Sequence, residues 1–150
     1  MITAISLSHH SDIMRIWEAS VLATHDFLKP AHFQLIRDLL QDNFPASVTL
    51  YGFFDEKGEM QAFMGIEDGK IEMLFITPAM RGKGIGRQLM QYAIRQCNAT
   101  KVDVNEENLQ ALAFYRHMGF EAKGRSATDG LGKPYPLLHL QLIITDSAGQ

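Results

Sequence analysis

Apolar and polar positions change period several times along the chain, and each change marks an element. Residues 2–7 alternate loosely and predict a first strand. Ser11-Asp12 then reads as a helix start, with Ile13, Ile16, Trp17 and Val21 on one apolar face. Pro30 suits the first turn of a second helix carrying Phe33, Ile36, Leu39 and Leu40. From residue 48 the period shortens to two: Val48, Leu50 and Gly52 alternate with Thr49, Tyr51 and Phe53. Asp55-Glu56-Lys57-Gly58 is a turn, residues 61–66 form the return strand of a hairpin, and 70–76 form a third strand stopped by Thr77-Pro78. Residues 84–97 read as a helix with Ile85, Leu89, Tyr92, Ala93 and Gln96 near one face. A short strand at 101–104 and a helix at 107–117 follow, the helix closed by Gly119 in the place of a left-handed cap. Strands at 120–127 and 135–143 flank the loop 129–134, and residues 145–150 read as a frayed tail. This order predicts a mixed α/β fold, a sheet with helices on its faces. No repeat, low-complexity run or linker interrupts it, so one domain over residues 1–150 is expected.

Composition narrows the class. The chain has 150 residues, 46% apolar and 21% charged, which fits one folded domain and not a disordered polyampholyte. No run approaches the ~20 apolar residues of a bilayer span, and the start lacks the basic region and apolar core of a signal peptide. A cytoplasmic protein with no membrane partner is the expectation. A single cysteine, Cys97, excludes an internal disulfide framework and a Cys-rich zinc module. His9, His10, His32, His117 and His139 show no metal-ligand spacing, so no metal is expected. A net charge of −3 argues against a nucleic-acid partner, and an anionic ligand would need a local site.

Such a site is suggested by Arg81-Gly82-Lys83-Gly84-Ile85-Gly86, which lies between a strand and a helix. Bare glycines let a ligand approach the amides closely, and the first N–H groups of a helix have no internal partners. With the positive end of the helix dipole and the cations Arg81, Lys83 and Arg87, this is an anion site suited to phosphate. A tight turn with solvated bases is the plainer alternative. The Gly-Lys pairs are followed by Ile71, Gly84 and Pro134, never by the Ser or Thr of a P-loop. Position 87 is Arg, where a dinucleotide fingerprint would place its third glycine.

The segment from Leu74 to Met90, with Arg81, Gly84 and Gly86 at its core, resembles the acetyl-CoA motif of the GNAT N-acetyltransferases. A second block from Asn108 to Phe120 resembles the family independently, through Asn108, Ala111, Phe114, Tyr115, Gly119 and Phe120. Residues 24–28 and 132–138 further resemble a bacterial branch of that family, the YjaB-like acetyltransferases. The resemblance implies a mostly antiparallel central sheet whose strands 70–76 and 101–104 splay apart to admit the pantetheine arm. It implies acetyl-CoA as co-substrate and no metal. The amides of Gly82, Lys83, Gly84, Ile85, Gly86 and Arg87, with Arg81 beside them, would hold the pyrophosphate. The backbone of Leu74, Phe75 and Ile76 would pair with the arm, and one of their N–H groups would polarise the thioester carbonyl. Asn108 would hydrogen-bond the coenzyme.

The same resemblance makes Tyr115 the main catalytic candidate. A phenol of pKa ~10 is uphill as a donor to a thiolate of pKa ~8.5 by about 2 kcal/mol, a gap that positioning or a lowered phenol pKa would close. An ordinary core aromatic is the competing reading. A lysine-type amine is almost wholly protonated at pH 7, so a base would assist. Glu72 is one candidate, placed by alternation opposite Ile71, Met73 and Phe75. His25 is another, with the right intrinsic pKa. A solvated carboxylate and a surface histidine are the competing readings. Tyr135 between two prolines reads as packing of a rigid turn, and Cys97 as a small buried apolar group. The expected function is transfer of an acetyl group to a primary amine by direct attack in a ternary complex. A non-catalytic acyl-CoA-binding module and an acyltransferase for longer chains are the alternatives. The acceptor, a small-molecule or peptide amine, is open, and so is homodimerisation.

Overall fold

The computed structural model describes residues 1–24, 48–128, 132, 134 and 136–143. Among the described residues seven strands form one sheet: β1 (Ile2–Ile5), β2 (Thr49–Phe54), β3 (Met60–Glu67), β4 (Lys70–Ile76), β5 (Lys101–Asn105), β6 (Phe120–Ser126) and β7 (Leu137–Leu142). Their spatial order is β1-β2-β3-β4-β5-β7-β6, and every neighbouring pair is antiparallel except β4 and β5. The described α-helices are α1 (His10–Thr24), α2 (Ile85–Cys97) and α3 (Leu109–His117). The second helix expected near Pro30 lies outside the described residues.

The sheet is covered on both faces, as the element order predicts. Ile13, Met14, Ile16 and Trp17 of α1 bury against Val48, Leu50, Met60 and Phe63 on one face. Leu89, Met90 and Ala93 of α2 and Leu112 and Tyr115 of α3 bury against Ala62, Met64, Ile71, Val102 and Leu140 on the other. Full burial of side chains the size of Trp17, Phe63 or Leu89 stabilises by roughly 1.5–3 kcal/mol each.

The single parallel pair positions the site. β4, α2 and β5 form a crossover unit, and β4 pairs with β5 only at Lys70–Lys101 and Ile71–Val102. Beyond those two pairs the strands diverge, which is the splay expected between 70–76 and 101–104. One further irregularity lies on β4. Ile66 pairs with Ile71 and Gly65 with Met73, so Glu72 is the extra residue of a β-bulge. Alternation therefore breaks at Glu72. Ile71 packs with the α2/α3 core, whereas Met73 and Phe75 pack with the α1 core. The expectation that Ile71, Met73 and Phe75 share a face is corrected by this bulge.

Candidate active site

The divergence of β4 and β5 opens a cavity of about 570 Å³, and α2 starts at its rim. Gly84 is the N-cap of α2, at φ 84° and ψ 4°, and Gly82 has φ 77°. These left-handed conformations strain any residue with a Cβ, so glycine is required by the backbone itself. A Cβ on either residue would meet nothing within 4 Å, which leaves their amides open to a ligand. The first helical bond runs from Gln88 N to Gly84 O at 3.1 Å. The N–H groups of Ile85, Gly86 and Arg87 therefore have no intrahelical acceptor. Gly86 serves a different need. A Cβ there would come within 3.2 Å of Ile76 and Phe114, so its bareness lets α2 approach β4 and α3.

Of the predicted cations, Arg81 and Arg87 border the cavity. The Arg81 guanidinium donates to the Ser20 carbonyl of α1 at 3.4 Å, and burial lowers its pKa below the ordinary guanidinium range. Arg87 lies 3.2 Å from His117 Nε2, at the end of α3. Lys83 departs from expectation: it is exposed and is absent from the cavity wall. It stands between two left-handed glycines, and the turn carries its side chain into solvent.

Leu74, Phe75 and Ile76 all line the cavity, but their backbones divide the work. Thr77 N–H donates to Gln61 O of β3 at 2.9 Å, and Phe75 pairs with Phe63 two residues earlier. By strand alternation the Phe75 peptide groups face β3, and those of Leu74 and Ile76 face the splay. The Ile76 carbonyl already accepts a 2.6 Å hydrogen bond from Ser20 Oγ. The Phe75 backbone is thus turned to β3, and of the three residues only Leu74 and Ile76 present peptide groups to the splay.

Tyr115 lies in the cavity wall and is 6% exposed. Phe114 and Phe120 stack edge-on against its ring at centroid distances of 5.1 and 5.9 Å. Among the described residues its hydroxyl has no hydrogen-bond partner, and burial pushes the phenol well above its ordinary 10.0. A lowered phenol pKa is therefore not what this site provides. Asn108 also borders the cavity, as the N-cap of α3: its Oδ1 accepts from Ala111 N at 3.2 Å. Glu72 is exposed at the splay, with Oε2 3.8 Å from Lys70 Nζ. His25 and Tyr135 lie outside the described residues.

The cavity also includes Ser20, Asp103 and His117, which the sequence reading did not assign to the site. Ser20 and His117 carry no motif signal.

The acetyltransferase (GNAT) domain family matches residues 26–130, well over half of the chain. The chain belongs to the GNAT family of acetyltransferases. It is 40% identical over 143 residues to the peptidyl-lysine N-acetyltransferase YjaB of Salmonella typhimurium, covering 93% of this chain and 98% of that protein. To YjaB of Escherichia coli K12 it is 38% identical over 146 residues, with 95% and 99% covered. The solution structure of apo YjaB from Escherichia coli superposes with a TM-score of 0.88 at 36% identity, covering 97% of this chain and 98% of that one. The N-acetyltransferase PaiA of Thermoplasma acidophilum, solved with coenzyme A, shares the fold alone: TM-score 0.70 at 17% identity, with 95% and 98% covered. The enzyme is thus an acetyl-CoA-dependent N-acetyltransferase. The open glycine amides, the unpartnered start of α2 and the unzipped edges of β4 and β5 suit a pyrophosphate joined to an extended amide-bearing arm.

Proposed function

We propose that the chain is a single N-acetyltransferase domain that acetylates lysine side chains of proteins or peptides. Supporting this, both curated YjaB relatives are named peptidyl-lysine N-acetyltransferases. The observation that carries the reaction is the meeting of three groups in one cavity: the α2 N-terminus, the free edge of β4 and Tyr115. Acetyl-CoA supplies the activated acetyl group. Gly82 to Arg87 bind its pyrophosphate through backbone amides, with Arg81 and Arg87 adding charge. Leu74 and Ile76 order the arm against β4, and the Leu74 N–H is the donor that polarises the thioester carbonyl. Asn108 fixes the start of α3, and its side-chain amide meets the coenzyme. Glu72, on the opposite side of the sheet from the α2/α3 core, takes the charge of the incoming ammonium. Tyr115 returns a proton to the departing sulfur. The burial that makes its phenol a weak acid also makes a thiolate beside it a stronger base, so the donor and acceptor shift together.

The test is acetylation of a lysine peptide by the wild type and by Tyr115→Phe. The variant should bind acetyl-CoA with unchanged affinity and lose on the order of a hundredfold in kcat. Wild-type turnover of the variant would overturn the role of Tyr115. Preference for an N-terminal α-amine or a polyamine over the lysine peptide would overturn the acceptor.

A further inference from the structure

Four polar side chains form a continuous string across β4, β5, β7 and β6. Lys70 Nζ lies 2.7 Å from Asp103 Oδ2, and Asp103 Oδ1 lies 2.6 Å from His139 Nδ1. His139 Nε2 in turn lies 2.6 Å from Ser126 Oγ. The string is built by register: Asp103 is the direct cross-strand partner of His139, and Gly124 is the partner of His139 on β6. A Cβ on Gly124 would stand 3.5 Å from the imidazole, so this glycine leaves the ring its room. Val102, Val104, Leu138 and Leu140 point to the α2/α3 core, so Asp103 and His139 point to the opposite face. Asp103 is part of the cavity wall next to the point where β4 and β5 part, whereas His139 is 40% exposed.

This arrangement defines the chemistry of the ring. A hydrogen bond to a carboxylate keeps the neutral imidazole's proton on Nδ1 and leaves the Nε2 lone pair basic, with the Ser126 hydroxyl as its donor. Protonation at Nε2 makes an imidazolium in contact with Asp103, and Ser126 Oγ then accepts. We propose that His139 is the group that takes the proton of the acceptor ammonium, and that Asp103 is the positioning residue that sets its tautomer and balances its charge. This rests on the lysine-acceptor reading and deepens it.

The step balances as follows. The ammonium N–H bond breaks, and its proton reaches Nε2 through the Ser126 hydroxyl or solvent on the open face. The freed nitrogen lone pair forms the bond to the acetyl carbon, and the thioester carbon–sulfur bond breaks with its electron pair leaving on the coenzyme sulfur. The second amine proton replaces the one that Tyr115 gives to sulfur, and His139 later releases its own to water. The other charged groups on this face of the neighbouring strands are Lys70 and Glu72 of β4, Lys101 of β5, and Glu121 and Lys123 of β6. Lys70 is held by Asp103, and Lys123 lies 3.6 Å from Glu121.

The test compares wild type, His139→Gln and Asp103→Asn on two peptides, one with lysine and one with S-aminoethylcysteine, whose amine is less basic. His139→Gln should lose at least tenfold in kcat/KM on the lysine peptide at pH 7. It should keep its acetyl-CoA affinity and recover towards wild type at high pH and on the less basic amine. Asp103→Asn should show the same pattern more weakly, with a wild-type urea midpoint for His139→Gln as the control for folding. An unchanged pH profile and rate in His139→Gln would overturn the proposal while leaving lysine acetylation intact. A loss of equal size on both peptides at every pH would overturn it too, because a merely structural role predicts that result. If the wild type acetylates neither peptide, the acceptor reading fails and this inference falls with it.

Discussion

The Ser20 hydroxyl donates to the Ile76 carbonyl at 2.6 Å and bolts α1 to the free edge of β4. Ser20 is 2% exposed, and its own carbonyl accepts from Arg81 at the start of the glycine loop. One residue of α1 thus holds both the strand and the loop that border the cavity. Ser20→Ala deletes the bond and leaves a buried carbonyl short of a partner. Stability should fall by about 1–2 kcal/mol in urea denaturation. A variant as stable as the wild type would show that the bond contributes nothing net.

Gly84 holds φ 84° with open space around its missing Cβ. Gly84→Val should therefore act in two ways. The left-handed backbone strain should cost at least 1–2 kcal/mol. The side chain should also stand where the ligand needs bare amide, and acetyl-CoA affinity should fall at least tenfold by calorimetry. Gly86→Ala has the opposite cause, a collision with Ile76 and Phe114 at 3.2 Å, and should lose stability first.

Asn108 combines a cap with a place in the cavity wall. Asn108→Ala should cost about 1 kcal/mol through the lost cap. Asn108→Ser keeps a capping oxygen but has no amide to offer the coenzyme. It should restore most of the stability and leave KM for acetyl-CoA raised. Full recovery of KM by Ser would confine Asn108 to capping.

Asp103 carries a pH signature. Burial opposes its ionisation, but hydrogen bonds from Lys70 and His139 outweigh it and hold the carboxyl below its ordinary 3.8. A depressed acid stabilises the fold above its unfolded pKa, and that contribution is lost as pH falls through the folded value. Lys70 is raised above 10.5, chiefly by Asp103, so its share is present below that pH and is lost as pH rises through the higher folded pKa. The pair should stabilise across the whole range between. In Asp103→Asn the acid limb of stability below pH 4 should flatten, measured as urea midpoints from pH 2 to 7. An unchanged limb would mean that the pair is solvated away.

Local rules sufficed for part of this enzyme. Glycines at 82 and 84 adopt the positive φ that their turn demands, and residues 70–76 form the strand that their apolar run predicts. Each of these depends on residues within a turn or two along the chain, so the amino-acid order alone carries it. The two blocks that resemble the GNAT family are built from such local features, and they come together in one cavity as that resemblance implies.

Tertiary structure alone decided the rest. Asp103 and His139 lie 36 positions apart, and they meet because β7 pairs with β5 in one register and not the next. A slip of one residue would place the imidazole in the α2/α3 core. The bulge at Glu72 reassigns Met73 and Phe75 to the α1 face, although no turn or glycine within 70–76 announces it. Ser20 reaches Ile76 across 56 positions through the packing angle of α1 on the sheet. Burial, not residue type, sets the Tyr115 phenol. These are relations between elements, decided by how all of them share one core, and no window of the chain contains them.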